Sequence, residues 1–457
     1  MKDMLNHLKK MNSLYKYSLD ELKKASGPNL YNFAKSIVPG GSQLLSKRPE
    51  MFAPDVWPSY FSKAFLSDVY DLDNRKFLDM SIMGVGACIL GYAYPDVDKR
   101  VKEAIDMGVS STLICPEEVD LAKVILDLHP WFDMVRYARG GGEAMSIAVR
   151  IARASTKKDI VLFSGYHGWT DWYLSANLVD NENLDGQLMP GLDAIGVPMG
   201  LKGTAIPFDA NDIQSLLNKI KGLENKIGAI VIEPARGEDA SPDYLADLKS
   251  LSEDIGCKLI FDEITSGFRA CVGGIHRKYG VNPDIAVFAK SVANGYPISI
   301  IAGRSDSMNA FQKSFISSTN WTDRLGPVAA LATIESYIDK KVDLHINNQG
   351  KKVKKIWEDY AKEFEIDIDI SGLDSLAAFK FNSKNSTKMN TLFTIEMLKM
   401  GVLAFRQFKP SLSHTDNDIL YYEKCVEEAF RTIASDPDCS KLDTEEQHLR
   451  FKYLTKE

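Results

Sequence analysis

The sequence has 457 residues, of which 45% are hydrophobic, 10% aromatic and 26% charged, a profile that excludes disordered, collagenous and coiled-coil chains. Lysine plus arginine number 55 against 62 acids, net −7, with the signs interspersed, so no nucleic-acid partner is expected. No window approaches the ~18 uncharged apolar residues of a membrane span. The six cysteines (Cys88, Cys115, Cys257, Cys271, Cys425, Cys439) show no CxxC pair or zinc-ligand spacing, so a metal-free, cytoplasmic protein with reduced thiols is expected, outside any membrane.

Early in the chain, Val69, Tyr70 and Phe77 flank the turn Asp73-Asn74 as strands do. Between Asp133 and Gly303, short apolar runs predict buried strands at Met134 to Ala138, Ile160 to Phe163, Ala229 to Ile232, Lys258 to Phe261, Ile285 to Phe288 and Ile298 to Ala302. Helical patterns separate them: Ala144, Ile147, Ala148, Ile151 and Ala152 share one face of Glu143 to Ala154, and Leu245, Leu248, Leu251 and Ile255 one face of Asp243 to Ile255. This alternation predicts an α/β body with a mostly parallel central sheet covered by helices.

Beyond Arg304 the character changes. Pro327 opens a helical pattern to about Tyr337, Ile366, Ile368 and Ile370 alternate as in an edge strand, and Thr415 with Asp418 forms a capping box before Ile419, Tyr422, Val426, Ala429 and Phe430. A smaller α+β domain is expected there. The expected division is 1–80, an N-terminal segment joining the small domain or an interface; 81–310, the large domain; and 311–457, the small domain with an interface segment.

Ligands of open α/β sheets bind beyond the carboxyl ends of the strands. Five predicted ends carry unusual residues. Arg139-Gly140-Gly141-Gly142-Glu143 opens a helix, so free N–H groups and a positive dipole end make either an anion cradle or a plain tight turn. Ser164-Gly165-Tyr166-His167-Gly168 offers an aromatic face to a planar ligand, or a packed surface turn with a structural histidine. Glu233-Pro234 and Asp262-Glu263 place acids where burial demands a partner, either a helix cap or a protonated heterocycle nitrogen. Lys290 directly follows an apolar strand, which suits a Schiff-base amine, although most lysines so placed are solvated. Together the five ends carry the parts that hold pyridoxal 5′-phosphate.

From about Val38 to the end the chain resembles the class III pyridoxal-phosphate aminotransferases of fold type I, in the branch similar to glutamate-1-semialdehyde aminomutase. Pro39-Gly40-Gly41, Gly140-Gly141-Gly142-Glu143-Ala144, Tyr166-His167-Gly168, Glu233-Pro234, Phe261 to Arg269 (FDEITSGFR) and Lys290 carry the likeness. The resemblance implies that Lys290 is the Schiff-base lysine and proton shuttle and Asp262 the partner of the ring nitrogen. Tyr166 and Ile264 would take the two ring faces, Gly141 and Gly142 the phosphate, and His167 and Glu233 would support the cofactor. It implies a homodimer with shared sites, in which Thr322 reaches the phosphate of the other subunit.

The pattern departs at four places. Gly140 replaces a Ser or Thr, Ala293-Asn294-Gly295 replaces three glycines, Lys47 and Arg48 stand where an arginine holds the substrate carboxylate, and Arg406-Gln407 replace a later acid. Lys47, Arg48 and Arg406 are therefore the substrate-binding candidates. The expected activity is amino transfer from a donor, glutamate first, to an aldehyde or ketone acceptor, a sugar-derived one among the candidates. Intramolecular amino transfer of the aminomutase type is the alternative, and a non-catalytic binding protein the third reading.

Overall fold

The computed structural model describes residues 14–187, 190–235, 240–452 and 454. These divide into two compact units, one drawn from Met1–Val85, Leu90–Ala93 and His345–Glu457, the other from Gly86–Ile89 and Tyr94–Leu344.

The second unit is built on seven strands: β1 (Met134–Ala138), β2 (Ile160–Ser164), β3 (Ala205–Pro207), β4 (Ile227–Ile232), β5 (Lys258–Asp262), β6 (Ile285–Phe288) and β7 (Ser299–Gly303). Their spatial order is β1-β7-β6-β5-β4-β2-β3. Every pairing from β3 through β6 is parallel, whereas β7 runs antiparallel to both β6 and β1. The mostly parallel α/β sheet expected from the sequence is present.

Period-two geometry explains why the inner strands read as continuous apolar runs. Successive residues point to opposite faces, and in β2, β4, β5, β6 and β7 both faces are covered, while the edge strand β1 alternates toward solvent. Val161, Phe163, Val231 and Ile260 pack with Ile147, Ala148 and Ile151 of the helix Gly141–Thr156. Their neighbours Leu162, Ile230, Ile232 and Phe261 pack instead with Leu216 and Ile220 of the helix Ile213–Ile220, and with Leu245 and Leu248 of the helix Pro242–Asp254. The last helix starts where Ser241 Oγ accepts from the Tyr244 N–H at 3.1 Å.

Two features differ from the sequence expectation. The strand predicted from Ile298 begins at Ser299 and is the antiparallel member, and the three-residue strand β3 carried no apolar run of its own. The helix predicted from Pro327 spans Leu325–Asp339. Asp323 Oδ1 accepts from the N–H groups of Leu325 (2.9 Å) and Gly326 (3.2 Å), so the acid rather than the proline sets its start.

In the first unit, Asp68–Asp71 and Lys76–Asp79 form the antiparallel hairpin read from Val69, Tyr70 and Phe77. A second sheet joins Ile368–Ser371, Ala377–Phe381 and Gln407–Phe408. The helix Asp416–Ser435 has its capping box: Thr415 Oγ1 accepts from Asp418 N–H (3.2 Å) while Asp418 Oδ2 accepts from Thr415 N–H (2.8 Å). Its apolar face, with Tyr422, Val426 and Phe430, packs with Trp357, Phe379 and Phe393, and the buried Trp357 Nε1–H is satisfied by Tyr422 Oη at 2.9 Å. Among the described residues no helix is long and apolar enough to cross a membrane.

Candidate active site

The carboxyl ends of β1, β2, β4, β5 and β6 lie along one edge of the sheet, because all five strands run the same way. Ala138, Ser164, Ile232, Asp262 and Phe288 end these strands. The segments that follow therefore bring together Gly140 to Gly142, Gly165 to Gly168, Glu233, Asp262 to Thr265 and Lys290.

The glycine cradle begins the helix Gly141–Thr156. Glu143 Oε2 accepts from the backbone N–H of Arg139 (2.9 Å) and Gly140 (3.4 Å), which pins the entry to the helix. Gly168, at φ +103°, passes so close that a Cβ there would lie 2.6 Å from the Gly142 Cα. A Cβ on Gly141 would meet Ile264 Cδ1 at 3.0 Å. Gly168 is thus required by close approach of backbone, whereas at Gly141 only the tip of Ile264 would have to give, and the helix N-terminus favours an anion. Behind the cradle, the Arg139 guanidinium pairs with Asp323.

Asp262 is 1% exposed and faces His167, whose Nδ1 lies 2.8 Å from Oδ2. The other ring nitrogen, Nε2, donates to the Ser164 carbonyl at 3.1 Å, so one further proton lies between Nδ1 and the carboxyl. Asp262 Oδ1 accepts from Ile264 N–H at 3.0 Å. Burial pushes the Asp262 carboxyl above its ordinary value; the hydrogen bond and charge of His167 oppose the shift, and Glu233 adds to it.

Glu233 Oε2 accepts from the Tyr166 N–H at 2.8 Å and orders the turn after β2. Gly165, at φ +109°, leaves room for it, since a Cβ there would come 2.8 Å from that oxygen. Tyr166 and Ile264 both pack at the margin of the core formed around the helix Gly141–Thr156, half-buried. Lys290, at φ +50°, extends Nζ to donate to Thr265 Oγ1 at 2.8 Å.

Nine of the sequence candidates, Lys290, Asp262, His167, Glu233, Tyr166, Ile264, Gly141, Gly142 and Thr322, lie in this unit. Thr322 differs from the rest: it is exposed at the end of the turn Thr319–Thr322, and its hydroxyl donates to Thr319 O at 3.0 Å. Lys47, Arg48 and Arg406 belong to the first unit. Lys47 is exposed, Arg48 packs on Gly40 and the Phe451 ring, and burial lowers the Arg406 guanidinium from its ordinary value.

One residue was missed in the sequence: Thr265 sits inside the FDEITSGFR run, yet only the fold shows it against Lys290. Glu263, read from the sequence as an acid whose burial demands a partner, is fully buried and receives hydrogen bonds from His276 Nδ1 (2.7 Å), His276 N–H (3.0 Å) and Ser266 Oγ (2.5 Å). Burial alone would raise its carboxyl, but these donors hold it below the ordinary value.

The donor set fits pyridoxal phosphate: a helix N-terminus stripped of side chains, an aromatic and an aliphatic side chain, a buried acid, and an amine on a short tether. Among the described residues no cluster of His, Cys, Asp and Glu suits a metal ion. Residues 55–420 match the family described as Aminotransferase class-III. The chain is 28% identical over 427 residues to a 3-aminobutyryl-CoA aminotransferase of Cloacimonas acidaminovorans, covering 91% of this chain and 99% of that protein. It is 26% identical over 437 residues to a glutamate-1-semialdehyde 2,1-aminomutase of Thermodesulfovibrio yellowstonii, with 90% and 99% covered. Among solved structures, the FumI protein of Sphingopyxis sp. MTA144, in a pyridoxal-phosphate-bound form, superposes with a TM-score of 0.82 at 20% identity, over 92% of this chain and 98% of that one. An omega-transaminase of Sphaerobacter thermophilus gives 0.80 at 21% identity, over 89% and 98%.

Proposed function

The chain belongs to the class III aminotransferases, enzymes that work with pyridoxal phosphate, and from that premise we propose that it moves an amino group from glutamate to a separate aldehyde or ketone acceptor. When bound, the cofactor supplies an aldehyde that amines condense with and a ring that withdraws electrons from the substrate carbon.

The protein's own residues would do the rest. Gly141 and Gly142 bind the phosphate through backbone N–H groups at the helix N-terminus, and Tyr166 and Ile264 orient the ring between them. Asp262, with His167 behind it, keeps a proton on the ring nitrogen, because a buried carboxylate is relieved by a cationic partner. Lys290 Nζ would hold the cofactor and would carry the proton to and from the substrate carbon. Glu233 fixes the turn that carries Tyr166. Lys47, Arg48 and Arg406 are the candidates for a substrate's anionic group, and a hydroxylated, sugar-derived acceptor suits the polar departures from the family pattern.

The observation that carries this reading is the convergence of Lys290, Asp262 and the glycine cradle on one sheet edge. Relatives of both the transaminase and the aminomutase kind keep intramolecular transfer as the second reading. The charge reversal at Arg406, where the aminomutase pattern has an acid, favours the first.

Incubating the holoenzyme with glutamate and no acceptor separates the two. A transaminase releases about one 2-oxoglutarate per site as the cofactor takes the amino group. Turnover of glutamate 1-semialdehyde with no keto acid released would establish the mutase.

The reading also takes the protein to act in the cytoplasm as a homodimer with shared sites. Leu113 (82% exposed), Ile114 (72%) and Phe315 (89%) support a covered surface on the second unit.

A further inference from the structure

Lys290 follows β6 after a single residue, Ala289, and enters the short turn Lys290–Ala293 in the left-handed region at φ +50°. Its backbone is therefore fixed, but the side chain has four rotatable bonds, and something must choose among its rotamers. The hydroxyl of Thr265 lies where it can do so, accepting from Nζ at 2.8 Å.

Thr265 is itself held. It is 9% exposed and stiff at χ1, as β-branched residues are. Its turn is closed on both sides: Ile264 N–H donates to Asp262 Oδ1 (3.0 Å), Gly267 N–H to Glu263 O (2.8 Å) and Ser266 Oγ to Glu263 Oε2 (2.5 Å). The buried Glu263 is anchored in turn by His276 Nδ1 at 2.7 Å. The acceptor for the lysine is thus placed by hydrogen bonds among its own turn and His276, and Ser291 Oγ, beside Lys290, donates to Gly267 O at 3.1 Å.

We propose that Thr265 is a positioning residue for Lys290: its Oγ1 selects the rotamer from which the amine meets the cofactor's aldehyde and to which it returns when an amino donor displaces it. This rests on Lys290 being the cofactor-binding lysine.

The test uses cofactor-free protein of the wild type, Thr265→Val, which keeps the shape and loses the hydroxyl, and Thr265→Ser, which restores it. Each is mixed with pyridoxal phosphate, and the visible absorbance is followed as Nζ bonds to the aldehyde carbon and water leaves. Pyridoxamine phosphate, which lacks the aldehyde, measures cofactor affinity separately. The expected result is imine formation about tenfold slower in Thr265→Val and within about twofold of wild type in Thr265→Ser, with unchanged pyridoxamine phosphate affinity in both. The labelling rate of Lys290 by reductive methylation in cofactor-free protein should shift in Thr265→Val alone.

A wild-type rate of imine formation in Thr265→Val, or an equal slowing in Thr265→Ser, would overturn the proposal. Borohydride reduction and peptide mapping of the wild-type holoenzyme separate this from failure of the underlying reading. A label on Lys290 leaves that reading standing, and a label on another lysine removes both.

Discussion

At Asp262 the structure joins two demands that oppose each other in water. In the proposed role the carboxyl is buried to meet a ring nitrogen, yet burial raises its pKa and favours the neutral form. His167 restores part of the balance by sharing a proton at 2.8 Å. Asp262→Asn keeps the size and the acceptor for Ile264 N–H but removes the charge, so the variant should fold and bind cofactor while its half-reaction rate with glutamate falls about 100-fold or more. A stopped-flow rate near that of the wild type would reduce Asp262 to a cap for the turn.

A second buried histidine has a different consequence. His129, 0% exposed, donates from Nδ1 to Ile125 O (2.8 Å) and packs beside the rings of Trp131 and His276, which lie 5.4 and 5.3 Å away. Burial, then the neighbouring His276, pull its pKa from 6.5 down to about 4. Because the folded value lies below the unfolded one, the unfolded chain takes up the proton first as pH falls. The stability contributed by neutral His129 is full above about pH 6.5 and is lost as pH drops toward about 4, by on the order of 3 kcal/mol. His129→Gln removes this titration. Urea unfolding at about pH 7.5 and about pH 4.5 should therefore show wild type losing more stability than the variant, by up to that amount. Parallel losses would mean that His129 titrates as it does in water.

At the scale of elements, the crossing of two loops decides whether the cradle exists. Gly168 and Gly142 belong to segments after β2 and β1, strands that are separated in the sheet by four others. Gly168→Ala adds a Cβ that would sit 2.6 Å from the Gly142 Cα, a backbone atom that cannot swing away. Gly108→Ala provides the control, since its φ is also positive (+99°) but nothing lies within 4 Å of the added carbon. Both variants pay the left-handed strain of about 1 kcal/mol or more. Only Gly168→Ala should also weaken cofactor binding, by about tenfold or more in equilibrium dialysis. Equal affinities in the two variants would show that the cradle yields.

For the whole molecule, the proposed homodimer predicts that a second copy completes each site. Thr322 is exposed, and its hydroxyl is occupied within its own turn by Thr319 O. Exposed apolar residues such as Met107, Leu113, Ile114 and Phe315 sit in the same unit. In an isologous dimer both observations have one cause, a covered face that carries Thr322 to the partner's phosphate site. Lys290→Ala and Thr322→Ala would each damage a different component, so subunit exchange between them should create heterodimers with one intact site. Activity of the mixture above the sum of the parents is the expected result. No recovery despite exchange demonstrated by mass spectrometry, or an active monomer in sedimentation, would exclude sharing.

The sequence by itself determined what depends on near neighbours. Apolar runs marked six of the seven strands of the large sheet; five of them are covered on both faces and so have no polar period to disguise them, whereas the edge strand β1 alternates toward solvent. Thr415 and Asp418, three residues apart, marked a helix start at Asp416, and the glycines, acids and lysine at strand ends were visible because each is out of place after an apolar run. Only the tertiary structure decided the rest. The antiparallel course of β7 and the three-residue β3 are set by pairing with strands distant in sequence, which no local pattern encodes. Gly142 against Gly168, Thr265 against Lys290 and Glu263 against His276 join residues 26, 25 and 13 positions apart. Such contacts exist only once sheet order places the strand ends side by side, and at that edge the candidate site is assembled.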